Sequence, residues 1–134
     1  MFELEFKVRD YECDLQGIVN NATYQNYLEH TRHEFLLERG IDFAEFHRRG
    51  IDLVVTRAEL DYKRSLTSGD LFVVRLSIEK EGRLRFVFHQ SIYRAGESVP
   101  VVNAKITGVC LKNGRPTVDK ELEGLLFQAS QPQS

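Results

Sequence analysis

The sequence has only two cysteines and no apolar run near the roughly 20 residues that cross a bilayer. Cys13 and Cys110 form neither a metal spacing nor a disulfide framework. No block of five like charges occurs and the formal net charge is -2, so a polyanion binder is not expected. The start, "MFELEFKVRD", has no basic stretch leading into an apolar one, so no signal peptide is expected. The expectation is a cytoplasmic protein with reduced thiols, no nucleic-acid partner and no membrane association. Several chemical signatures are missing as well. There is no G-x-S-x-G elbow of a serine hydrolase, no G-x-G-x-x-G and no P-loop. His30 and His33 are three apart and Glu29 and His33 four apart on one helical stretch, but no third convergent ligand accompanies either pair, so no metal is expected.

What is present is an ordinary globular composition, 42% hydrophobic and 28% charged over 134 residues. One domain over 1–128 is expected, with a polar, disordered tail at 129–134. Phe2, Leu4, Phe6 and Val8 alternate with Glu3, Glu5 and Lys7, the period of a half-buried strand. From Asn21 the period becomes helical: Tyr24, Tyr27, Leu28, Thr31, Phe35 and Leu36 fall on one stripe, and Gly40 supplies a stop. Asn20 or Asn21 suits the cap. A short helix is expected at 42–48 and another at 119–127. Between them, four strands read from 53–63, 72–78, 84–93 and 99–111, the last ending near an Asn113-Gly114 turn. In the first of these, Val54, Thr56, Ala58, Leu60 and Tyr62 are expected on one face. The order of strand, long helix and four strands in succession implies an α+β fold: an antiparallel sheet wrapped on one helix.

Within that order, "RDYECDLQGIVNNATYQNYLEHTR" resembles the active-site segment of the 4-hydroxybenzoyl-CoA thioesterase type. The pattern is D-x-x-G-x-V followed by aromatics opening the helix, here Asp14, Gly17, Val19, Tyr24 and Tyr27. A link ending in Gly-Asp, "YKRSLTSGD", matches a second feature of that family. The resemblance implies the hotdog fold, one five-stranded and mostly antiparallel sheet around a long central helix. It also implies hydrolysis of a small-to-medium acyl or aroyl thioester of coenzyme A, with no cofactor beyond the substrate's own coenzyme. Homodimers or homotetramers are the usual assemblies. A non-catalytic acyl-CoA binder, an acyl-carrier-protein thioesterase and a hydratase are the alternatives; the last usually relies on an Asp–His pair, and no His accompanies Asp14.

The chemistry fits these residue types. A helix N-terminus offers backbone N–H groups without intrahelical partners, which polarise a carbonyl. The matching donor is the Asn21 amide. Asp14, seven residues earlier, can attack the carbonyl or activate a water. Gly17 lets the intervening loop turn. Val19, Asn20 and Tyr24 are candidate substrate contacts, and Arg57, Lys63 and Arg64 are candidates for the coenzyme phosphates, followed by Arg83 and Arg85. Glu29 is a secondary candidate for the carboxylate, because other hotdog enzymes use a Glu of the central helix. Cys13, next to Asp14, is not expected to be a nucleophile, since a neighbouring carboxylate disfavours the thiolate.

Overall fold

The computed structural model describes residues 1–127; the tail expected at 129–134 lies outside them. The elements are β1 (Phe2–Lys7), α1 (Asn21–Glu38), α2 (Phe43–Arg48), β2 (Ile51–Tyr62), β3 (Leu71–Glu81), β4 (Arg85–Arg94), β5 (Pro100–Lys112), β6 (Arg115–Pro116) and α3 (Lys120–Leu126). They build one sheet in the order β1-β3-β4-β5-β2, with β6 added to β5. The α+β architecture is therefore as expected, with two amendments. Every pairing is antiparallel, and a two-residue sixth strand follows the Asn113-Gly114 turn.

α1 buries the stripe read from its sequence: Tyr24, Tyr27, Leu28, Thr31, Phe35 and Leu36. Gly40, at φ +78, ends the helix in the left-handed region, and the Ile41 N–H returns to the Leu36 carbonyl. The buried side faces the inner residues of β3, β4 and β5, including Phe72, Val74, Phe88, Ile92 and Ile106. Tyr27 meets the Phe72 ring at 4.7 Å between centroids, and Phe6 stacks on Phe72 at 5.0 Å. Aromatic contacts of this kind add about 0.5–1.5 kcal/mol each beyond burial.

The strands do not all pair in succession. β2 is not joined to β3; it crosses to the far edge and pairs with β5. Residues 63–70 therefore form a link across one end of the sheet rather than a hairpin. A second difference lies inside β2. Leu53 and Leu60 both pack on the core, an odd spacing that a regular strand cannot give. The register shifts between Val55 and Arg57, so Thr56 is an extra residue and the faces exchange there. Val54 consequently lies outside the core cluster that holds Leu60, contrary to the uniform alternation expected for this strand.

The bulge is accommodated by Gly108 on β5, where a Cβ would stand 2.8 Å from the Val54 carbonyl oxygen. That oxygen belongs to the backbone and cannot swing away. Gly108→Ala is expected to lower stability by about 1–3 kcal/mol through overpacking, with a matching drop in the midpoint of chemical denaturation. An unchanged midpoint would show that β2 shifts without cost.

Candidate active site

The segment before α1 is a small antiparallel turn. Cys13 bridges Val19, the Asp14 N–H donates to the Ile18 carbonyl, and the Asn20 N–H donates to the Glu12 carbonyl. Gly17 closes it at φ +80, a conformation that a side chain would strain. The turn is fastened to the link between β2 and β3. Ile18 bridges Thr67, and the Val19 N–H donates to the Leu66 carbonyl at 2.9 Å. The Leu66 N–H donates in turn to the hydroxyl of Tyr24 at 2.9 Å. Loop, link and helix start are thus tied through one buried residue, Leu66.

The link has its own anchor. Asp70 accepts from the Thr67 amide at 2.8 Å and from the Arg94 guanidinium at 3.2 Å, while Arg94 also donates to the Ser65 carbonyl. Burial pushes the Asp70 carboxyl up, but the hydrogen bonds from Thr67 and Arg94 outweigh it and hold the group below the ordinary aspartate value. The Gly-Asp ending was visible in the sequence. Arg94, which comes 24 residues later on β4, carried no signal there.

At the helix start, Asn20 is the cap: its side chain accepts from the Ala22 amide at 2.9 Å, and its carbonyl accepts from Thr23. Among the described residues this leaves the Asn21 N–H without a partner. The Asn21 carbonyl accepts from the Tyr62 hydroxyl at 3.3 Å, which sets the end of β2 beside the helix start. Asp14 is exposed, and its Oδ1 accepts the Gln16 amide at 2.8 Å. That bond steadies the carboxylate and leaves its second oxygen open.

The remaining candidates fall in different surroundings. Val19 and Tyr24 are 2% and 1% exposed and belong to the core. Burial pushes the Tyr24 phenol up, so it stays neutral while it holds Leu66. Arg57 is paired with Glu59 at 3.2 Å and Arg64 with Glu97 at 3.5 Å. Lys63 has no partner among the described residues. Arg83 and Arg85 lie at the other end of the sheet, near Lys112 and Arg115, and these four cations also lack partners there. Glu29 is on the exposed side of α1 and lines a cavity with Arg32. The Cys13 thiol is pushed up by burial and then by Asp10 and Asp14, against any thiolate role. The main cavities of the single chain are lined by other residues than Asp14 and Asn21.

Comparison with known proteins places this arrangement. Residues 8–125 match the model of the thioesterase-like superfamily. The chain belongs to that superfamily. Over 116 residues it is 42% identical to the acyl-acyl carrier protein thioesterase ATL2 of Arabidopsis thaliana chloroplasts, covering 86% of the chain and 62% of the relative. A second Arabidopsis relative, ATL3, is covered over 58% of its length, so the chain spans about three fifths of these proteins. The long-chain acyl-CoA thioesterase FadM of Escherichia coli is 29% identical, with 81% of the chain and 82% of FadM covered. A crystal structure of a protein from Aquifex aeolicus superposes with a TM-score of 0.85 at 31% identity, over 94% of this chain and 99% of that one. The superfamily's hotdog architecture is thus the architecture seen here.

The Asp70–Arg94 anchor has a pH signature. Its carboxyl titrates lower folded than unfolded, so its contribution is fully present above the ordinary value of 3.8 and is lost as pH falls through the folded value. Asp70→Asn is expected to cost about 1–2 kcal/mol near neutrality and to flatten the loss of stability below about pH 4, read by urea denaturation at several pH values. Parallel pH profiles for the two proteins would count against the anchor.

Proposed function

We propose that this protein hydrolyses acyl thioesters, with the Asn21 amide as oxyanion donor and Asp14 as nucleophile or general base. The observation that carries this reading is the division of labour at the helix start. Asn20 satisfies the Ala22 and Thr23 amides and leaves the Asn21 N–H open. An amide at that position bears part of the helix's positive end and suits the negative charge that develops on a carbonyl oxygen. Asp14, with one oxygen restrained and one open, is the carboxylate that the same short turn presents. The oxygen of water ends on the acyl carbon, the C–S bond breaks, and the thiolate takes up a proton. No metal or redox group enters this scheme; coenzyme A or a carrier's pantetheine arm leaves with the thiol.

A second copy of the chain completes the site. β2 is an edge strand of 12 residues, and Val55 on it is 51% exposed. Two such edges paired antiparallel about a two-fold axis make one continuous sheet and remove both free edges. That pairing sets the Ile51 end of one β2 against the Tyr62 end of the other. It brings the unpaired Lys112 and Arg115 of one copy toward the helix start of the second, on the side of Lys63. The phosphates of the thioester's handle have cations to meet there, whereas Arg57 and Arg64 are already engaged. The identity to the Arabidopsis carrier-protein thioesterases favours a second reading of the handle, an acyl carrier protein, with the same chemistry at the thioester.

Asp14→Asn keeps an oxygen for the Gln16 amide and so preserves the turn. It is expected to lower thiol release from a panel of acyl-CoAs by about 10²–10⁴-fold, measured with a thiol-trapping dye. Hydrolysis at the wild-type rate would remove Asp14 from the mechanism. Val55→Glu, which places a charge on the pairing edge, is expected to halve the mass in light scattering and to abolish release. A variant of unaltered mass and activity would reject assembly through β2.

A further inference from the structure

The hydroxyl of Tyr27 is a buried polar group that the packing of α1 does not require. Tyr27 is 4% exposed, and its ring does what a phenylalanine would do, meeting Phe72, Phe6 and Tyr24. A hydroxyl in such a place costs stability unless it is hydrogen-bonded. Its partner is not in the core. The Tyr27 hydroxyl donates at 2.9 Å to Oε1 of Glu12, a half-buried residue at the start of the turn that carries Asp14. The same Oε1 accepts the Arg9 N–H at 2.8 Å. Burial and then the Glu12 carboxylate push the Tyr27 phenol up, so it stays protonated and remains a donor through the neutral range.

Glu12 is tied to the site by its backbone as well. Its carbonyl accepts the Asn20 N–H at 3.2 Å, and Asn20 is the cap that leaves the Asn21 amide open. Along the chain, Glu12 lies two residues before Asp14, and Cys13 between them bridges Val19. One residue is thus linked to both halves of the proposed chemistry, the carboxylate and the oxyanion donor. Asn20, Tyr24 and Tyr27 follow at four- and three-residue spacing, along one side of α1. Tyr24 accepts from Leu66 and holds the link, whereas Tyr27 donates to Glu12 and holds the turn. Glu12 and Tyr27 line a cavity together with residues of β1, and neither Asp14 nor Asn21 lines it. The pair is therefore placed to hold the turn and not to touch substrate.

We propose that Tyr27 and Glu12 are positioning residues, whose hydrogen bond fixes the spacing between the Asp14 carboxylate and the Asn21 amide. This rests on the thioesterase reading above and adds to it what sets the geometry of the same site. Farther along, the turn is fastened to the link through Ile18 and Val19. On the Glu12 side, the side-chain tether to α1 is the Tyr27 hydroxyl. Attack on a carbonyl is sensitive to such a tether, because a misplacement of about 1 Å can lower a rate by about 10²-fold.

The test begins with Tyr27→Phe, which deletes the hydroxyl and keeps the ring. Its kcat for acyl-CoA hydrolysis is expected to fall about 10-fold or more, with KM within about twofold of wild type. Glu12→Ala is expected to show the same loss. The Tyr27→Phe, Glu12→Ala double variant is expected to lose no more than either single one, since both changes remove one bond. Glu12→Gln keeps an oxygen for both donors and is expected to retain most of kcat. Every variant is assayed below its unfolding midpoint, so lost stability alone does not reproduce this pattern. If Glu12→Ala does not fold, Tyr27→Phe and Glu12→Gln still decide the outcome. Wild-type kcat in Tyr27→Phe, or losses that multiply in the double variant, would overturn the positioning role and leave the thioesterase reading standing. No thiol release by the wild-type protein from any acyl-CoA overturns both.

Discussion

The structure of the site depends on one buried residue of the link between β2 and β3. Leu66 accepts the Val19 amide through its carbonyl and donates its own amide to the Tyr24 hydroxyl. A loop, a link and a helix start meet at this point, and neither the loop nor the link is regular secondary structure that would hold its position alone. A buried backbone amide without an acceptor is costly, so the Tyr24 hydroxyl is bound to its place as firmly as Leu66 is. The Asn20 cap then determines which amides of the helix are consumed and which is left over.

The course of the link follows from how the sheet is connected. Because β2 crosses to the far edge, the chain has to travel back across the end of the sheet before β3 begins. The returning segment passes in front of α1, where it becomes the surface on which the loop is laid. Arg94 from β4 and Asp70 at the end of the link fasten it to the sheet. The same crossing leaves β2 as an open edge of the sheet, with Tyr62 at its end touching the helix start.

Much of the fold was legible from periodicity. The six residues read as the buried stripe of α1 are the six that the helix buries, and Gly40 stops it. The strand positions follow alternation closely, because one face of the sheet is packed and the other solvated. Alternation failed where the backbone departs from it: Leu53 and Leu60 share the core only because Thr56 is inserted between them in register. The motif of Asp14, Gly17 and the paired asparagines was legible as well, since a glycine at positive φ and an N-cap are local demands. What could not be read was which side chains were already occupied. Arg57 and Arg64 looked as available as Lys63, yet each has a carboxylate partner on another part of the fold or strand.

By itself, then, the sequence determined the local grammar of this protein: where the strands and helices run, which face each buries, and which turn carries an acidic residue into a helix start. These are set by interactions among residues close in the chain. The tertiary structure alone decided that β2 is an edge, that Leu66 joins loop to helix, that Arg94 anchors the link, and that Arg32 is held over a cavity by Gln90. Each of these is a contact between residues 24 to 58 positions apart, or the absence of a neighbouring strand. Hydrogen-bond partners at such separations are chosen by the packing of the whole sheet on one helix, a condition no short stretch of sequence contains.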